Sequence, residues 1–260
     1  MTYTETALVF TNPFGHRTAG VLATPVLPTD TMVILCHGFL SDKNSQTNRQ
    51  ITDLLVARNI ATLRFDWFGC GESDGDFAEI TISICREQLL RVIADARARG
   101  YTRLGLIGSS FGGLIALLIA PHVSDVVALG LKCPVPDFPE MLRLRFGSSS
   151  MENWKNAGAI AIPVLDGIPP IRLQHRFYED ALTHNAYQAA HALSVPTFIV
   201  HGDRDQIVPV HQIHDLMRSL SGDRHLLLLA GADHQFARPN DFRKMTASLA
   251  EWMTRTLTTF

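Results

Sequence analysis

The stretch Gly108-Ser109-Ser110-Phe111-Gly112 decides the fold of this chain, because it places the pattern G-x-S-x-G between two apolar runs. Residues 104–107 before it are strand-like, and residues 114–120 after it are helix-like. This context predicts a nucleophile elbow, a sharp turn from a strand into a helix that lifts one serine out of the sheet. Glycine at both ends of the pattern avoids the clash that a Cβ causes where backbone segments approach closely. Ser110 is therefore the candidate nucleophile, and Ser109 is expected to point away from the site.

A serine hydroxyl is a weak nucleophile near neutral pH, so it needs a base, and the base needs an orienting group. Two later strands end in residues that suit these roles. Residues 197–200 run towards Asp205, and residues 226–229 run towards His234. Because catalytic groups of open α/β sheets gather beyond the carboxyl ends of the strands, we assign His234 as the general base and Asp205 as the orienting acid. Asp203 is the alternative acid.

The segments around these residues resemble those of the α/β-hydrolases. Residues 201–209 read H-G-D-R-D-Q-I-V-P, and residues 231–234 read G-A-D-H. By this resemblance the acid is Asp205, the second aspartate, whereas Asp203 shapes the turn. Asp233 is expected to be only a loop residue.

An oxyanion formed at the serine also needs hydrogen-bond donors. One donor is the N–H of the residue after the nucleophile, which is Phe111. Residues 32–36 form an early apolar strand, and His37-Gly38-Phe39 follows it. In related hydrolases an H-G-hydrophobic sequence at this point supplies the second donor, so the resemblance implies the N–H of Phe39. His37 is expected to hold the loop by hydrogen bonding.

A further loop narrows the resemblance. Residues 64–75 read R-F-D-W-F-G-C-G-E-S-D-G, which is similar to a loop of small bacterial esterases. Residues 37–44 and 231–236 resemble the oxyanion and histidine loops of the same group. It includes cinnamoyl and feruloyl esterases and sequences described as serine aminopeptidase-like or monoacylglycerol-lipase-like. The loop itself is expected to be structural, with Asp66 and Ser73 satisfying backbone donors.

The order of the predicted elements indicates one α/β-hydrolase domain over residues 1–260. Strands and helices alternate from residue 32 onward, which predicts a mostly parallel, eight-stranded sheet with helices on both faces. An antiparallel hairpin is expected at one edge. The predicted strands are 4–11, 18–24, 32–36, 61–65, 103–107, 125–130, 196–200 and 225–229, and the predicted helices are 44–58, 82–98, 112–120, 210–219 and 241–256.

Residues 133–192 interrupt this alternation between the sixth and seventh strands. A structureless loop of this length is uncommon in a compact domain, so we predict a cap insertion that folds over the site. Its aromatic side chains either line an acyl or aromatic pocket or only pack the cap onto the body. They are Phe138, Phe146, Trp154, Phe177, Tyr178 and Tyr187.

Composition argues against several other classes. A net charge of −2 over 260 residues shows no bias towards nucleic acid. The longest apolar stretch, residues 114–120, is far shorter than the roughly 20 residues that span a bilayer. No signal-peptide pattern and no C-x-x-C spacing appear, so we expect reduced cysteines and a cytoplasmic protein. The histidines and cysteines form no metal motif, and no nucleotide-binding glycine motif occurs, so neither a metal nor a cofactor is expected.

These features predict a serine hydrolase that cleaves small-molecule carboxylic esters through an acyl-enzyme intermediate, with aromatic or short-chain acyl esters as candidate substrates. The same triad would serve a thioesterase, a peptidase or amidase, or a carbon–carbon bond hydrolase. The alternative from another class is a non-catalytic ligand-binding protein on this scaffold, because a fold does not fix a function. An exposed apolar cap surface would allow a homodimer.

Overall fold

An eight-stranded, mostly parallel sheet forms the centre of the molecule. The computed structural model describes residues 3–11, 15–163 and 170–258. The strands are β1 (Thr4–Thr11), β2 (Arg17–Thr24), β3 (Thr31–Cys36), β4 (Ala61–Phe65), β5 (Arg103–Ser109), β6 (Val126–Lys132), β7 (Ala159–Ile162), β8 (Ile171–Gln174), β9 (Thr197–Gly202) and β10 (Arg224–Leu229). The order in the large sheet is β1-β2-β4-β3-β5-β6-β9-β10. Strands β1 and β2 are antiparallel to their neighbours and all other pairs are parallel, which confirms the predicted sheet and its hairpin edge.

Helices cover both faces of this sheet, as predicted. They are α1 (Gln46–Val56), α2 (Ile82–Ala98), α3 (Phe111–Ile119), α4 (Phe138–Ala157), α5 (Arg176–Ala181), α6 (Ala186–Ala192), α7 (Val210–Ser219) and α8 (Pro239–Thr258). On β3, Val33 and Leu35 belong to a buried cluster with α1 and α8, whereas Met32 and Ile34 belong to a cluster with α2 and α3. Burial on both faces explains why the parallel strands are continuous apolar runs. In the part of the chain that the structure describes, none of the helices has the length and apolar character to cross a membrane.

The predicted cap segment folds into three helices and a small hairpin between β6 and β9. Strands β7 and β8 pair antiparallel, and the Nε1–H of Trp154 in α4 donates to the carbonyl of Leu173 in β8 at 3.0 Å. Helix α5 is joined to the body because the Ser83 N–H donates to Asp180 Oδ2 at 3.0 Å. Residues 164–169 of the predicted cap lie outside the described residues.

Helices α2 and α7 have the predicted ends, and those of α3 differ by one residue, whereas both ends of α1 and α8 differ by two. Capping explains where α1 and α8 begin. Helix α1 begins at Gln46 rather than at residue 44, because Ser45 is its N-cap and accepts a hydrogen bond from the Asn48 N–H at 3.3 Å. Helix α8 begins earlier than predicted, at Pro239, since proline suits the first position of a helix.

Candidate active site

Ser110 lies at a strained turn between β5 and α3. Its φ of 51° and ψ of −112° lie outside the regions that residues with a Cβ favour. Its own N–H donates to the carbonyl of Lys132 at 2.8 Å, which ties the turn to β6. A Cβ on Gly108 would lie 2.5 Å from the Gly112 oxygen, and a Cβ on Gly112 would lie 2.5 Å from the His37 oxygen. The turn therefore requires glycine at both positions.

The structure brings Ser110, His234 and Asp205 into one hydrogen-bonded chain. These residues follow β5, β10 and β9 respectively, at the carboxyl ends of parallel strands, on the same edge of the sheet from β5 to β10. The Nε2 atom of His234 lies 3.1 Å from Ser110 Oγ, and its Nδ1 lies 2.6 Å from Asp205 Oδ2. A proton on Nδ1 donates to the carboxylate, which leaves Nε2 to accept the serine proton.

The carboxylate of Asp205 is held in place and kept ionised. Its Oδ1 accepts hydrogen bonds from the N–H groups of Ile207 at 2.8 Å and Val208 at 2.9 Å. Burial alone would raise the pKa of Asp205, but the hydrogen bond and charge of His234, with the Val208 N–H, outweigh it and lower the pKa below the ordinary value. Asp205 is therefore negatively charged near neutral pH.

The two other aspartates near the chain hold loops instead. Asp203 Oδ1 accepts from the Gly231 N–H at 2.6 Å, which joins the loop after β9 to the loop after β10. Asp233 Oδ1 accepts from the Ala237 N–H at 3.0 Å. Neither carboxylate has a hydrogen bond to His234 in the described structure. This agrees with the loop functions predicted for both.

The two predicted oxyanion donors belong to segments next to Ser110. Phe111 is the first residue of α3, so its N–H has no acceptor within the helix. Phe39 follows Gly38, where a Cβ would lie only 3.6 Å from Ser110 Cβ. The ring of Phe39 packs against that of Phe111 with centroids 5.4 Å apart, and against Phe177 at 5.3 Å.

His37 holds the loop after β3 by hydrogen bonds, as predicted. Its Nε2 accepts the Trp67 N–H at 3.0 Å, and its Nδ1 lies 2.8 Å from the Gly38 oxygen. The carbonyl of His37 accepts from Trp67 Nε1 at 2.8 Å. Burial lowers the pKa of His37 to about 4, so the ring is neutral. Its hydrogen bonds join the loop after β3 to the loop after β4.

The loop of residues 64–75 is structural. Asp66 accepts hydrogen bonds from the Lys43 N–H at 2.6 Å, from Lys43 Nζ at 2.6 Å and from the Glu72 N–H at 2.9 Å. Ser73 Oγ accepts from the Ala19 N–H at 2.9 Å and donates to the Asp66 carbonyl at 2.8 Å. These contacts confirm that Asp66 and Ser73 satisfy backbone donors.

A cavity of about 710 Å³ opens beside Ser110, on the face of the sheet that α1 and α8 cover. Ser110 and His234 line it, together with the loops after β3 and β10 and the first turns of α1 and α8. Ser109 lines it as well, contrary to prediction, because the alternation of β5 directs its side chain to the same face as Ile107. Phe177 of the insertion is buried on Phe39 and is absent from the lining.

The sequence patterns did not identify three buried polar residues that lie near the site. Lys132 is the last residue of β6 and Cys133 follows it, whereas His201 lies in β9 with Nε2 3.7 Å from Asp205 Oδ2. Burial lowers the pKa of His201 to about 4 against the opposing charge of Asp205. Both ring nitrogens of His201 lack a hydrogen-bond partner within the described residues. Two of these residues could have been found in the sequence, because Lys132 and His201 are polar residues at the ends of apolar strands.

One group of donor atoms at the site has a spacing that a metal ion could use. Cys133, Asp205 and His234 each offer an atom within 4.8 Å of the others. A metal binds the thiolate, but burial raises the pKa of the Cys133 thiol, and the charge of Asp205 adds to this rise. His234 Nδ1 and Asp205 Oδ2 already share a hydrogen bond of 2.6 Å. These residues suit a hydrogen-bonded pair rather than a metal site.

A serine elbow, a strand-end histidine and a mostly parallel sheet covered by helices define a hydrolase of the α/β-hydrolase fold. The chain belongs to the alpha/beta hydrolase family, whose family model matches residues 33–256.

Known proteins of this fold match almost the whole chain. Palmitoyl-protein thioesterase ABHD10, mitochondrial, from Rattus norvegicus is 26% identical over 234 residues, which cover 84% of this chain and 73% of the relative. Est1E from Butyrivibrio proteoclasticus, in a structure with ferulic acid bound, matches with a TM-score of 0.84 and 23% identity, over 97% of this chain and 100% of that one. Alpha/beta hydrolase domain-containing protein 10 from mouse matches with a TM-score of 0.82 and 21% identity, over 96% and 99% of the two chains. The structural matches show the fold.

Proposed function

We propose that this protein is a serine hydrolase that cleaves carboxylic esters and thioesters through an acyl-enzyme intermediate. The observation that carries the proposal is the chain of hydrogen bonds from Ser110 Oγ to His234 at 3.1 Å and from His234 to Asp205 at 2.6 Å. A strained elbow serine beside a cavity of about 710 Å³ supports it, since a substrate carbonyl can reach the hydroxyl there.

In this mechanism Ser110 Oγ attacks the substrate carbonyl while His234 Nε2 takes the hydroxyl proton. The negative oxygen of the tetrahedral intermediate accepts hydrogen bonds from the N–H groups of Phe39 and Phe111. His234 then gives the proton to the leaving alcohol or thiol. Water, activated by the same imidazole, releases the acid and restores the serine.

The charge of Asp205 stabilises the imidazolium that forms at each of these steps. The carboxylate fixes the proton on His234 Nδ1, so that Nε2 faces the serine in both half-reactions. The Ile207 and Val208 N–H groups hold the carboxylate rigidly, which gives the imidazole one orientation.

Thioesters are among the proposed substrates because of the activity for which a relative is named. The curated protein from rat, 26% identical over most of the chain, is named a palmitoyl-protein thioesterase. A thiolate leaves more readily than an alkoxide, so the same serine chemistry serves both substrates. The cavity beside Ser110 carries side chains such as Gln46, Gln50 and Lys132, which favours short or polar substrate groups there over a long alkyl chain.

A substrate panel tests the proposal and its rivals. We would measure turnover of p-nitrophenyl acetate, butyrate and octanoate, methyl ferulate, an acyl thioester and an aminoacyl anilide by the wild type and by Ser110→Ala. We expect multiple turnover of esters or thioesters that Ser110→Ala lacks. Preference for the anilide would identify a peptidase or amidase. A folded wild type that turns over no member would contradict the proposal and favour the binding-protein alternative.

A further inference from the structure

The cavity beside Ser110 is lined by positive charge without negative charge. Lys132 and Arg243 both line it, and none of its lining residues is an aspartate or glutamate. Apart from Ser110 and His234, the remaining polar lining residues bear amides or hydroxyls, which bind oxygen atoms without adding charge. They are Ser41, Ser45, Gln46, Thr47, Gln50, Ser109 and Gln235. The chain as a whole carries a net charge of −2, so the charge of the cavity lining is opposite in sign to that of the chain.

Lys132 is the central feature of this lining. It is 4% exposed, and in the described structure its ammonium has no hydrogen-bond acceptor and no carboxylate within 4.0 Å. Its Nζ lies over the ring of Phe236, 5.5 Å from the ring centroid. Burial lowers the pKa of Lys132, because the charged form is poorly solvated.

The other buried cations of the described chain are paired. Lys43, 3% exposed, contacts Asp66 at 2.6 Å and Glu72 at 2.5 Å. Arg64, also 3% exposed, contacts Glu5 at 2.7 Å. A buried charge is normally compensated in this way, since its desolvation is costly. Lys132 differs from both in that the nearby charges of Asp205 and Asp233 act on it without direct contact. It faces a cavity where a ligand can supply a direct negative partner.

We propose that the substrate carries an anionic oxygen group, a carboxylate or a phosphate, that binds Lys132 in this cavity while its ester or thioester carbonyl lies at Ser110. The inference rests on the proposed serine hydrolase function and deepens it. The carbonyl oxygen of Lys132 accepts the Ser110 N–H at 2.8 Å, so the lysine and the nucleophile are fixed to each other through the backbone. Arg243, exposed on α8 at the edge of the cavity, adds attraction for the same anion.

Matched substrates test this directly. On the leaving-group side we would compare para-carboxyphenyl and para-(phosphonomethyl)phenyl acetates with the neutral para-carbamoylphenyl acetate. On the acyl side we would compare the p-nitrophenyl ester of glutaric acid with that of glutaramic acid, its neutral amide. The wild type is expected to prefer at least one anionic member about tenfold in kcat/KM, the effect of one charge-assisted hydrogen bond. The preferred member identifies the position and the type of anion.

The variant Lys132→Met removes the charge and keeps much of the side-chain volume. It is expected to lower kcat/KM for the preferred anionic substrate about tenfold more than for its neutral partner. Lys244→Met is the matched control, because Lys244 is exposed on α8 next to Arg243 but does not line the cavity, and it should keep the wild-type ratio. Equal losses on both members of the pair in Lys132→Met would overturn the inference.

If Lys132→Met does not fold, a salt titration of the wild type tests the inference instead. The preference for the anionic member should shrink as ionic strength rises from about 0.05 to about 0.5 M, since charge attraction is screened. No anionic preference at low salt would overturn the inference. Ser110-dependent turnover of the neutral esters would still support the serine hydrolase, whereas turnover of no ester at all would count against the proposed function itself.

Discussion

At the scale of single residues, the nucleophile is placed by a strained backbone. Ser110 has a φ of 51°, which costs a residue with a Cβ on the order of 1–3 kcal/mol. Glycine relieves that strain, whereas alanine retains it. We therefore expect Ser110→Gly to be more stable than Ser110→Ala by about 1 kcal/mol, although both lose activity. Urea unfolding of the two variants measures the difference. Equal stability, or a more stable alanine variant, would show that the turn is unstrained.

The two aspartates after β9 are distinguished by their hydrogen bonds. Asp205 bonds to the imidazole, and Asp203 bonds to the Gly231 N–H. Asp205→Asn is expected to lower kcat by about 10⁴, since an amide in place of the carboxylate favours the wrong imidazole tautomer. Asp203→Asn should retain activity within a few-fold and lose about 1 kcal/mol of stability. Steady-state kinetics of the pair checks this, and a reversed order of the two losses would assign the acid to Asp203.

Local sequence was sufficient to predict the residues of the hydrogen-bonded chain but not their surroundings. Ser110 and His234 each follow a strand that is recognisable in the sequence. Because both strands are parallel, the residues after them lie at the same edge of the sheet. Lys132 and His201 also end strands, yet their importance depends on which strands are neighbours. Strands β6 and β9 are adjacent although about 65 residues separate them, and no periodicity encodes that pairing.

At the scale of elements, the elbow depends on the close approach of α3 to the loop after β3. A Cβ on Gly112 would overlap the carbonyl oxygens of Cys36 and His37, and backbone atoms cannot turn away as a side chain does. Gly112→Ala is expected to lower the free energy of unfolding by about 3 kcal/mol or to prevent folding. Thermal denaturation measures this loss.

Gly38→Ala is the matched control for stability. A Cβ at Gly38 would lie at ordinary contact distances of 3.5 and 3.6 Å from Ser109 and Ser110. This variant should therefore fold with a melting temperature within a few degrees of the wild type. Equal destabilisation by the two substitutions would mean that the approach of α3 is not what requires Gly112.

For the insertion, the sequence predicted a folded segment but not what its aromatic side chains contact. Its length and aromatic content indicated a folded cap, but they allowed either a pocket or a packed layer. In the structure Phe138 and Phe177 are buried and pack on the ring of Phe39, with centroids 5.7 and 5.3 Å away. Whether these rings line a pocket or pack against the body depends on the position of Phe39, a residue about 100 positions earlier in the chain. Only the tertiary structure supplies that contact.

At the scale of the whole molecule, buried neutral histidines link stability to pH. Burial lowers the pKa values of His37 and His201 to about 4, below the value of about 6.5 for an unfolded histidine. The unfolded chain therefore binds more protons than the folded chain between these values, and stability falls as pH drops from about 6.5 to about 4. Each histidine contributes a loss of about 2 kcal/mol by pH 5.

Replacing one of these histidines tests the linkage. His201→Gln removes one titrating group, so the fall in stability between about pH 7 and pH 5 should be smaller than in the wild type by roughly 1–2 kcal/mol. Urea denaturation at several pH values measures this. His214→Gln, which removes an exposed histidine on α7, is the control and should leave the wild-type slope. An unchanged slope in His201→Gln would show that folding does not lower the pKa of this ring.

The central claim is that Ser110 and His234 act as one catalytic unit, and a double-mutant cycle tests it most directly. We would measure kcat/KM of the wild type, Ser110→Ala, His234→Ala and the double variant on the best ester of the panel. Residues that act as a unit are strongly non-additive, so each single variant should lose about 10⁴-fold or more and the double variant should lose little beyond that. Two large losses that multiply in the double variant, or a Ser110→Ala protein that still turns over the ester, would contradict the account.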